Sequence, residues 1–113
     1  MFDHIWSFRT ARFRVALEAE HERDIDLSWD DTGETAEKLE SGEWTCFCFR
    51  VAVYCDGRMI AADYLGNSIY ADPLDFYREH VGFRNNYFGG MVREAIAGAR
   101  HHLASLPKLR HVA

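Results

Sequence analysis

The sequence has little cysteine, no long apolar run and no export signal, and each shortage excludes a class of protein. The three cysteines are an odd number, and Cys46 and Cys48 stand two residues apart, which is typical of a reduced cytoplasmic protein and not of a disulfide framework. The longest apolar run, Phe47 to Tyr54, is interrupted by Arg50 and is far shorter than the roughly 20 residues that cross a bilayer. The N-terminus lacks a basic start followed by an apolar core. We therefore expect a cytoplasmic protein without a membrane-spanning segment.

Patterns that carry metal, cofactor or catalytic chemistry are missing as well. The thiols of Cys46 and Cys48 supply only half of a tetrahedral zinc shell, and none of the six histidines stands at a finger-like spacing from them. Phe88-Gly89-Gly90 lacks the strand and the Lys-Ser/Thr pair of a phosphate loop. No nucleophile with its base and no carboxylate pair matches a known local pattern. We therefore expect no metal, no cofactor and no catalytic residue, and a protein that is not an enzyme.

Basic side chains are scarce between Glu18 and Glu43, where eleven carboxylates face only Arg23 and Lys38. This stretch carries a net charge of −9, whereas the rest of the chain carries +4 and the whole chain −5. Charge of one sign at this density attracts a basic partner, although most acidic runs only keep a protein soluble. We expect the stretch to bind a basic protein or ribonucleoprotein complex through Glu18, Glu20, Glu22, Asp24, Asp26, Asp30, Asp31, Glu34, Glu37 and Glu40.

The length of 113 residues fits a single domain, residues 1–113, in which residues 107–113 form a loose basic tail. Alternating apolar residues predict a first strand from Phe8 to His21 and a central strand from Trp44 to Tyr54. Asp56-Gly57 predicts a type I′ hairpin turn, because both of its central positions need a positive φ. The third strand, Arg58 to Tyr64, then returns antiparallel to the second.

A short helix is predicted between the first two strands. Asp31 or Thr32 caps its start, and it ends near Ser41 with Gly42 as a left-handed C-cap. Its only candidates for inward-facing residues are Ala36 and Leu39, so we expect weak docking.

Two helices are predicted in the C-terminal part of the chain. Asp72-Pro73 starts the first, which ends at Gly82 and is followed by a loop over residues 83–86. The second ends near Ser105 and carries an apolar stripe of Met91, Val92, Ala95, Ile96, Ala99 and Leu103. The order β-α-β-β-α-α indicates an α+β domain with a small antiparallel sheet of about three strands packed against a long C-terminal helix.

An alternative site lies after the predicted hairpin. Gly66-Asn67 interrupts the apolar pattern, and Asp63, Tyr64 and Tyr70 flank this break. A loop with these side chains suits a small ligand, so a ligand-binding domain or an enzyme is the alternative to a protein-binding function. Structural packing of the two tyrosines is the plainer interpretation.

The basic residues near the C-terminus suggest a further alternative. Arg93, Arg100, Lys108 and Arg110 give this end a positive charge, but the chain is acidic as a whole and does not interleave basic with aromatic residues. We therefore expect no direct binding of nucleic acid. Pairing of this basic end with the acidic stretch of a second copy would make a structural homodimer.

Several strings in the last two thirds of the chain resemble a group of small proteins carried by bacterial phages, plasmids and integrated mobile elements. They are Asp56-Gly57-Arg58, Ala62-Asp63-Tyr64-Leu65-Gly66, Tyr87-Phe88 and Met91-Val92-Arg93-Glu94-Ala95-Ile96. The resemblance implies a bacterial host cell and no particular reaction. Small accessory proteins in that setting often bind and disable a host factor. The expected function is therefore a non-enzymatic inhibitor, of the anti-CRISPR kind, whose acidic surface imitates nucleic acid in the groove of a nucleic-acid-guided defence complex.

Overall fold

The computed structural model describes residues 1–80 and 87–106, and it shows an α+β fold built on one antiparallel sheet. The sheet contains four strands, which lie side by side in chain order. They are β1 (Asp3–Arg9), β2 (Arg14–His21), β3 (Thr45–Cys55) and β4 (Arg58–Tyr70). The helices are α1 (Glu34–Ser41) between β2 and β3, α2 (Leu74–His80) and the 19-residue α3 (Tyr87–Ser105). The predicted fold class is confirmed, whereas the predicted strand number and element order need correction.

The predicted first strand is in fact two strands joined by a tight turn. Thr10 closes this turn, since its Oγ1 accepts hydrogen bonds from the backbone N–H groups of Phe13 at 3.0 Å and Arg12 at 3.3 Å. Its own N–H donates to the carbonyl of Phe13 at 2.8 Å. The apolar residues change phase at the turn, from the even positions of Trp6 and Phe8 to the odd positions of Phe13 and Val15, because the chain reverses while both strands keep these residues on the core face. The element order is therefore β-β-α-β-β-α-α.

The hairpin between β3 and β4 has the predicted turn. Asp56 and Gly57 have φ values of 52° and 78°, the left-handed conformations that a type I′ turn requires. The predicted break at Gly66-Asn67 is wrong, since β4 continues to Tyr70. These two residues form a bulge, where Asn67 takes a φ of 52° and the pairing with β3 shifts.

The hydrophobic core lies between one face of the sheet and the two C-terminal helices. In α2, Phe76 is fully buried and stacks on Phe49 of β3, with ring centroids 4.4 Å apart. The predicted stripe of α3 is confirmed, and the helix packs on β4 so that a Cβ at Gly98 would be in ordinary contact with the Ala61 Cβ, at 3.5 Å. The buried core residues are Phe13, Val15, Leu17, Ala19, Phe47, Phe49, Val51, Val53, Phe76, Phe88, Met91, Ala95 and Ala99. The opposite face of the sheet, which carries Ala16, Glu18, Arg50, Ala52 and Tyr54, is here called the open face.

Some predictions fall outside the described residues. The helix end at Gly82, the loop over 83–86 and the loose tail over 107–113 belong to these parts of the chain and stay predictions. Within residues 1–80 and 87–106, all of the helices are too short or too polar to cross a membrane.

Candidate functional site

The acidic stretch is concentrated at one end of the sheet. Residues 22–44, here called the acidic lobe, connect the end of β2 to the start of β3 and contain α1. Backbone hydrogen bonds attach the start of the lobe to the sheet and hold the end of the lobe against α1. The N–H of Glu22 donates to the carbonyl of Cys46 at 3.0 Å, and that of Trp44 donates to the carbonyl of Lys38 at 3.1 Å. The lobe is therefore a defined extension of the sheet.

Helix α1 presents its glutamates away from the sheet. Thr35 is buried and Leu39 is half-buried, so these two residues mark the inner face of the helix. At about 100° per residue, Glu34, Glu37 and Glu40 point to the opposite side. The three side chains belong to exposed residues, and none of them forms an ion pair in the part of the chain that the structure describes. The inward residue is Thr35, not the predicted Ala36.

Gly42 ends α1 as predicted, but the predicted N-terminal caps are largely replaced by Asp30. Gly42 has a φ of 83°, and its N–H donates to the carbonyl of Leu39 at 3.2 Å. The Asp30 carboxylate accepts hydrogen bonds from the N–H of Ala36 at 3.0 Å and that of Thr35 at 3.4 Å. Asp30 therefore satisfies free donors of the first turn and stabilises the helix itself.

Asp26 has a similar local role. Its Oδ1 accepts a hydrogen bond from the N–H of Ser28 at 3.0 Å, and its carbonyl accepts one from Nε1 of Trp29 at 2.9 Å. The hydrogen bonds from the backbone and side chain of Ser28 lower the pKa of the Asp26 carboxyl. The carboxylate remains exposed and charged, so it also adds to the field of the lobe.

Glu22 fastens the lobe to the bulge of β4. Its Oε2 accepts a hydrogen bond from the N–H of Asn67 at 2.6 Å. A Cβ at Gly66 would lie 3.1 Å from this oxygen, so glycine leaves the space in which the carboxylate fits. The bulge at Gly66-Asn67 therefore binds the Glu22 carboxylate, with Asn67 as the donor and Gly66 leaving the space.

Glu18 does not belong to the acidic surface, which corrects the prediction. It is only 7% exposed and lies on the open face, opposite Arg50 of β3. Its Oε1 accepts a hydrogen bond from Nε of Arg50 at 2.7 Å, and its Oε2 accepts one from the hydroxyl of Tyr54 at 2.6 Å. Burial, together with the bond to Glu18 and its charge, raises the pKa of Tyr54. Both carboxylate oxygens are occupied, so Glu18 is a structural residue.

The remaining predicted residues divide by exposure. Glu20 is half-buried, and its Oε2 lies 3.1 Å from the N-terminal amine of Met1. Five carboxylates are exposed, and their side chains have no hydrogen-bonding or ionic partner among the described residues; they are Asp24, Asp31, Glu34, Glu37 and Glu40. Together with the exposed Asp26, these five form the accessible acidic surface.

The alternative ligand loop is not a loop. Asp63, Tyr64 and Tyr70 all lie within β4, and they do not converge. Tyr64 pairs with Arg50 on the open face, whereas Asp63 pairs with Val51 and Tyr70 with Thr45 on the core face. Tyr70 packs edge-on against Phe49 with ring centroids 5.7 Å apart. The convergent polar pocket that a ligand would need is therefore not formed by these three residues.

Cys46, Cys48 and Cys55 are free thiols. Cys46 is 2% exposed, and burial, followed by the charge of Glu22, raises the pKa of its thiol. Burial and the same carboxylate raise the pKa of Cys48. Among residues 1–80 and 87–106, no group of three or more His, Cys, Asp or Glu side chains is placed to hold a metal ion.

The end of the sheet opposite the acidic lobe carries arginines that the sequence analysis passed over. Arg9, Arg12 and Arg14 surround the turn between β1 and β2 and are here called the arginine cluster. Three arginines within six residues were a visible signal, but a continuous first strand would have distributed them along an extended chain. The seven steps of β2 from Arg14 to His21 separate the two ends by about 23 Å.

Comparison with known proteins adds no family to this description, since no family model, no curated protein and no solved structure matches the chain.

Proposed function

We propose that this protein is a non-enzymatic binding protein that presents the acidic lobe to a basic partner. The observation that carries the proposal is the outer face of α1, where Glu34, Glu37 and Glu40 are exposed and form no ion pair among the described residues, since Lys38 of the same helix pairs with Glu43 instead. Unpaired carboxylates repel one another at some cost in stability, and a basic partner relieves this repulsion on binding.

The spacing of these charges supports the proposal. Residues three apart on a helix rise by about 4.5 Å, so α1 carries a short row of negative charges along its outer face. The row stands on a helix whose first turn is held by Asp30 and whose last turn is held by Gly42. A row held in this way meets a basic groove with little further loss of conformational entropy.

The specific form of the proposal is an inhibitor that occupies a groove built for nucleic acid. Such a groove is lined by lysine and arginine, and the row of carboxylates supplies charge of the sign that phosphates carry. A host complex guided by nucleic acid, in a bacterial cytoplasm, is the partner that this chemistry and the resemblance to mobile-element proteins favour.

Capture from a bacterial lysate tests the proposal when it is combined with matched variants. E37K and E94K each reverse one exposed helical glutamate, in α1 and α3 respectively, so they change the net charge equally. We expect the wild type to capture a partner protein. E37K should bind this partner at least about tenfold more weakly than the wild type, and E34K/E37K/E40K should not bind it. E94K should bind it as tightly as the wild type does.

The retained protein is then purified and assayed with nucleic acid. We expect a DNA or RNA oligonucleotide to compete with the acidic lobe for it, and added salt to weaken the complex. Equal retention by E37K and E94K would contradict the proposal, as would a partner that binds no nucleic acid. Thermal melts of all variants show whether each one is folded.

The homodimer remains a separate prediction. In this dimer the basic C-terminal end of one copy, with Arg93, Arg100, Lys108 and Arg110, pairs with the acidic lobe of a second copy. Light scattering at low and high salt tests whether two copies pair through them. A monomer at every salt concentration would exclude this dimer.

A further inference from the structure

The two turns at the arginine end enclose a cavity. The turn between β1 and β2 and the Asp56-Gly57 turn border a space of about 220 Å³, whose lining includes Arg9, Arg12, Arg14 and Tyr54. Hydrogen bonds to Thr10 hold the first turn, and the buried ring of Phe13 anchors it in the core. The backbone that lines this side of the cavity is therefore held in one conformation by hydrogen bonds and by core packing.

The positive charge of this cavity is not compensated. In the part of the chain that the structure describes, none of Arg9, Arg12 and Arg14 forms an ion pair with a carboxylate. Asp56 is the one acidic residue in the lining, against three guanidinium groups. The site therefore keeps an excess of positive charge in a protein whose net charge is −5.

Contacts with aromatic rings position two of the guanidinium groups. Arg14 stacks over the ring of Tyr54 at 4.3 Å, and Arg12 lies over that of Phe13 at 5.5 Å. Tyr54 is itself held by its hydrogen bond to Glu18, which Arg50 holds in turn. The ion pair of Glu18 and Arg50 thus fixes the Tyr54 ring on which Arg14 stacks.

A second depression adjoins the first. Its volume is about 180 Å³, and it shares the turn from Thr10 to Phe13 with the first cavity. Ile96 and Arg100 of α3 complete its lining. The two depressions therefore share one wall, and the second adds an apolar residue and an arginine of α3 to that end of the fold.

We propose that the arginine cluster binds a phosphate group, supplied by inorganic phosphate, a nucleotide or a nucleic acid strand. Guanidinium groups present pairs of N–H donors that match phosphate oxygens. The three arginines and Asp56 together give the lining a charge of +2, which balances a phosphate dianion. The acidic net charge predicts no direct contact with nucleic acid, although Arg12, Phe13 and Arg14 do alternate basic and aromatic side chains. The fold also creates this combination across strands, where Arg14 of β2 meets Tyr54 of β3.

Three probes distinguish the sources of the phosphate. The ¹⁵N-labelled protein is titrated with inorganic phosphate and with thymidine monophosphate, while the amides of Arg12, Phe13 and Gly57 are followed by NMR. A fluorescein-labelled single-stranded oligothymidylate is titrated by fluorescence anisotropy. The variants are R9Q/R12Q, which changes two exposed residues, and R14Q, with R93Q as the control on an exposed part of α3.

We expect saturable shifts at the three amides with at least one probe. R9Q/R12Q and R14Q should each weaken that binding about tenfold or more, whereas R93Q should not. Each arginine lost should lower the salt dependence of oligonucleotide binding by about 0.7 in the slope of log K against log salt. If inorganic phosphate shifts the amides, a phosphate group alone is sufficient for binding. If only the oligonucleotide binds, the natural ligand is a nucleic acid strand.

Absence of saturable binding with all three probes would overturn the proposal. Equal weakening by R93Q, or none by the folded R9Q/R12Q variant, would also overturn it, because the binding would then be general electrostatic attraction. E37K keeps the arginine cluster intact and should bind the probes at least as well as the wild type. This variant separates the phosphate site from the proposed function of the acidic lobe.

Discussion

Glu18 and Arg50, 32 residues apart in the chain, form an ion pair across β2 and β3 with 2.7 Å between Oε1 and Nε. Their side chains are 9% and 18% exposed, so the pair is largely shielded from water. Ala16 and Ala52, the next paired residues on the same face, are fully buried. The carboxylate that begins the acidic stretch is therefore part of the framework of the sheet.

Replacing Glu18 with glutamine should destabilise the protein. E18Q removes the negative charge opposite Arg50 and leaves a shielded guanidinium with a weaker acceptor, which costs about 2 kcal/mol. Equilibrium unfolding in urea measures the change. E20Q is the control, because Glu20 has only an exposed ionic contact, and its effect should stay within about 0.5 kcal/mol. Equal stability of E18Q and the wild type would show that the pair adds nothing to the fold.

Replacing Asp30 with alanine should loosen α1 selectively. D30A removes the acceptor for the N–H groups of Thr35 and Ala36, and loss of such a cap costs about 1 kcal/mol. Hydrogen exchange of these two amides should accelerate while that of the core strands stays unchanged. D31A is the control, because it also removes one carboxylate but breaks no hydrogen bond to α1. Faster exchange of the two amides in both variants would show that the lost charge, and not the lost cap, loosens the helix.

Two glycine substitutions should change stability in opposite directions. G57A places a Cβ at a φ of 78° and should cost about 1 kcal/mol, because alanine rarely adopts this conformation. G90A lies within α3, where a Cβ would meet only the end of Arg93 at 3.9 Å, and it should stabilise the protein by up to about 1 kcal/mol. Thermal melts measure both. A gain in stability from G57A would be incompatible with a type I′ turn.

Tyr70 should make the protein sensitive to alkali. Burial, together with the nearby carboxylate of Glu79, raises the pKa of Tyr70 to about 12, above the value of about 10 for an unfolded tyrosine. The native state therefore holds this proton more tightly, and the stabilisation is complete below about pH 10 and is lost as the pH rises through 12. Tm should fall more steeply over this window in the wild type than in Y70F. Parallel Tm profiles would refute the assignment.

The pattern of the sequence was sufficient where a local rule decides the structure. The Asp56-Gly57 turn and the Gly42 cap follow from φ angles that few residues adopt, and each was predicted at its correct position. The alternation from Val15 to Ala19 and from Phe47 to Val53 placed the inward residues correctly, because a strand exposes its two faces in turn.

Local rules failed where a tertiary contact decides the structure. Gly66-Asn67 looks like a break, but β3 continues to pair beyond it and Glu22 binds the bulge from 45 residues away. Glu22 is too far from the bulge in the chain to leave a local pattern. The turn at Thr10 is different, because its hydrogen bonds to Phe13 are local. The apolar residues also change there from even positions, Trp6 and Phe8, to odd ones, a signal that the prediction of a single strand overlooked.

The sequence alone determined that the protein is an α+β domain with its negative charge in one stretch, because composition and periodicity are properties of the chain itself. Only the tertiary structure decided which charges remain available. The strand register buries Glu18 beside Arg50, Asp30 binds the backbone of α1 and Glu22 that of β4, and the turns gather three arginines around one cavity. A charge acts on a partner only if the fold leaves it exposed and unpaired, and register and packing set both conditions.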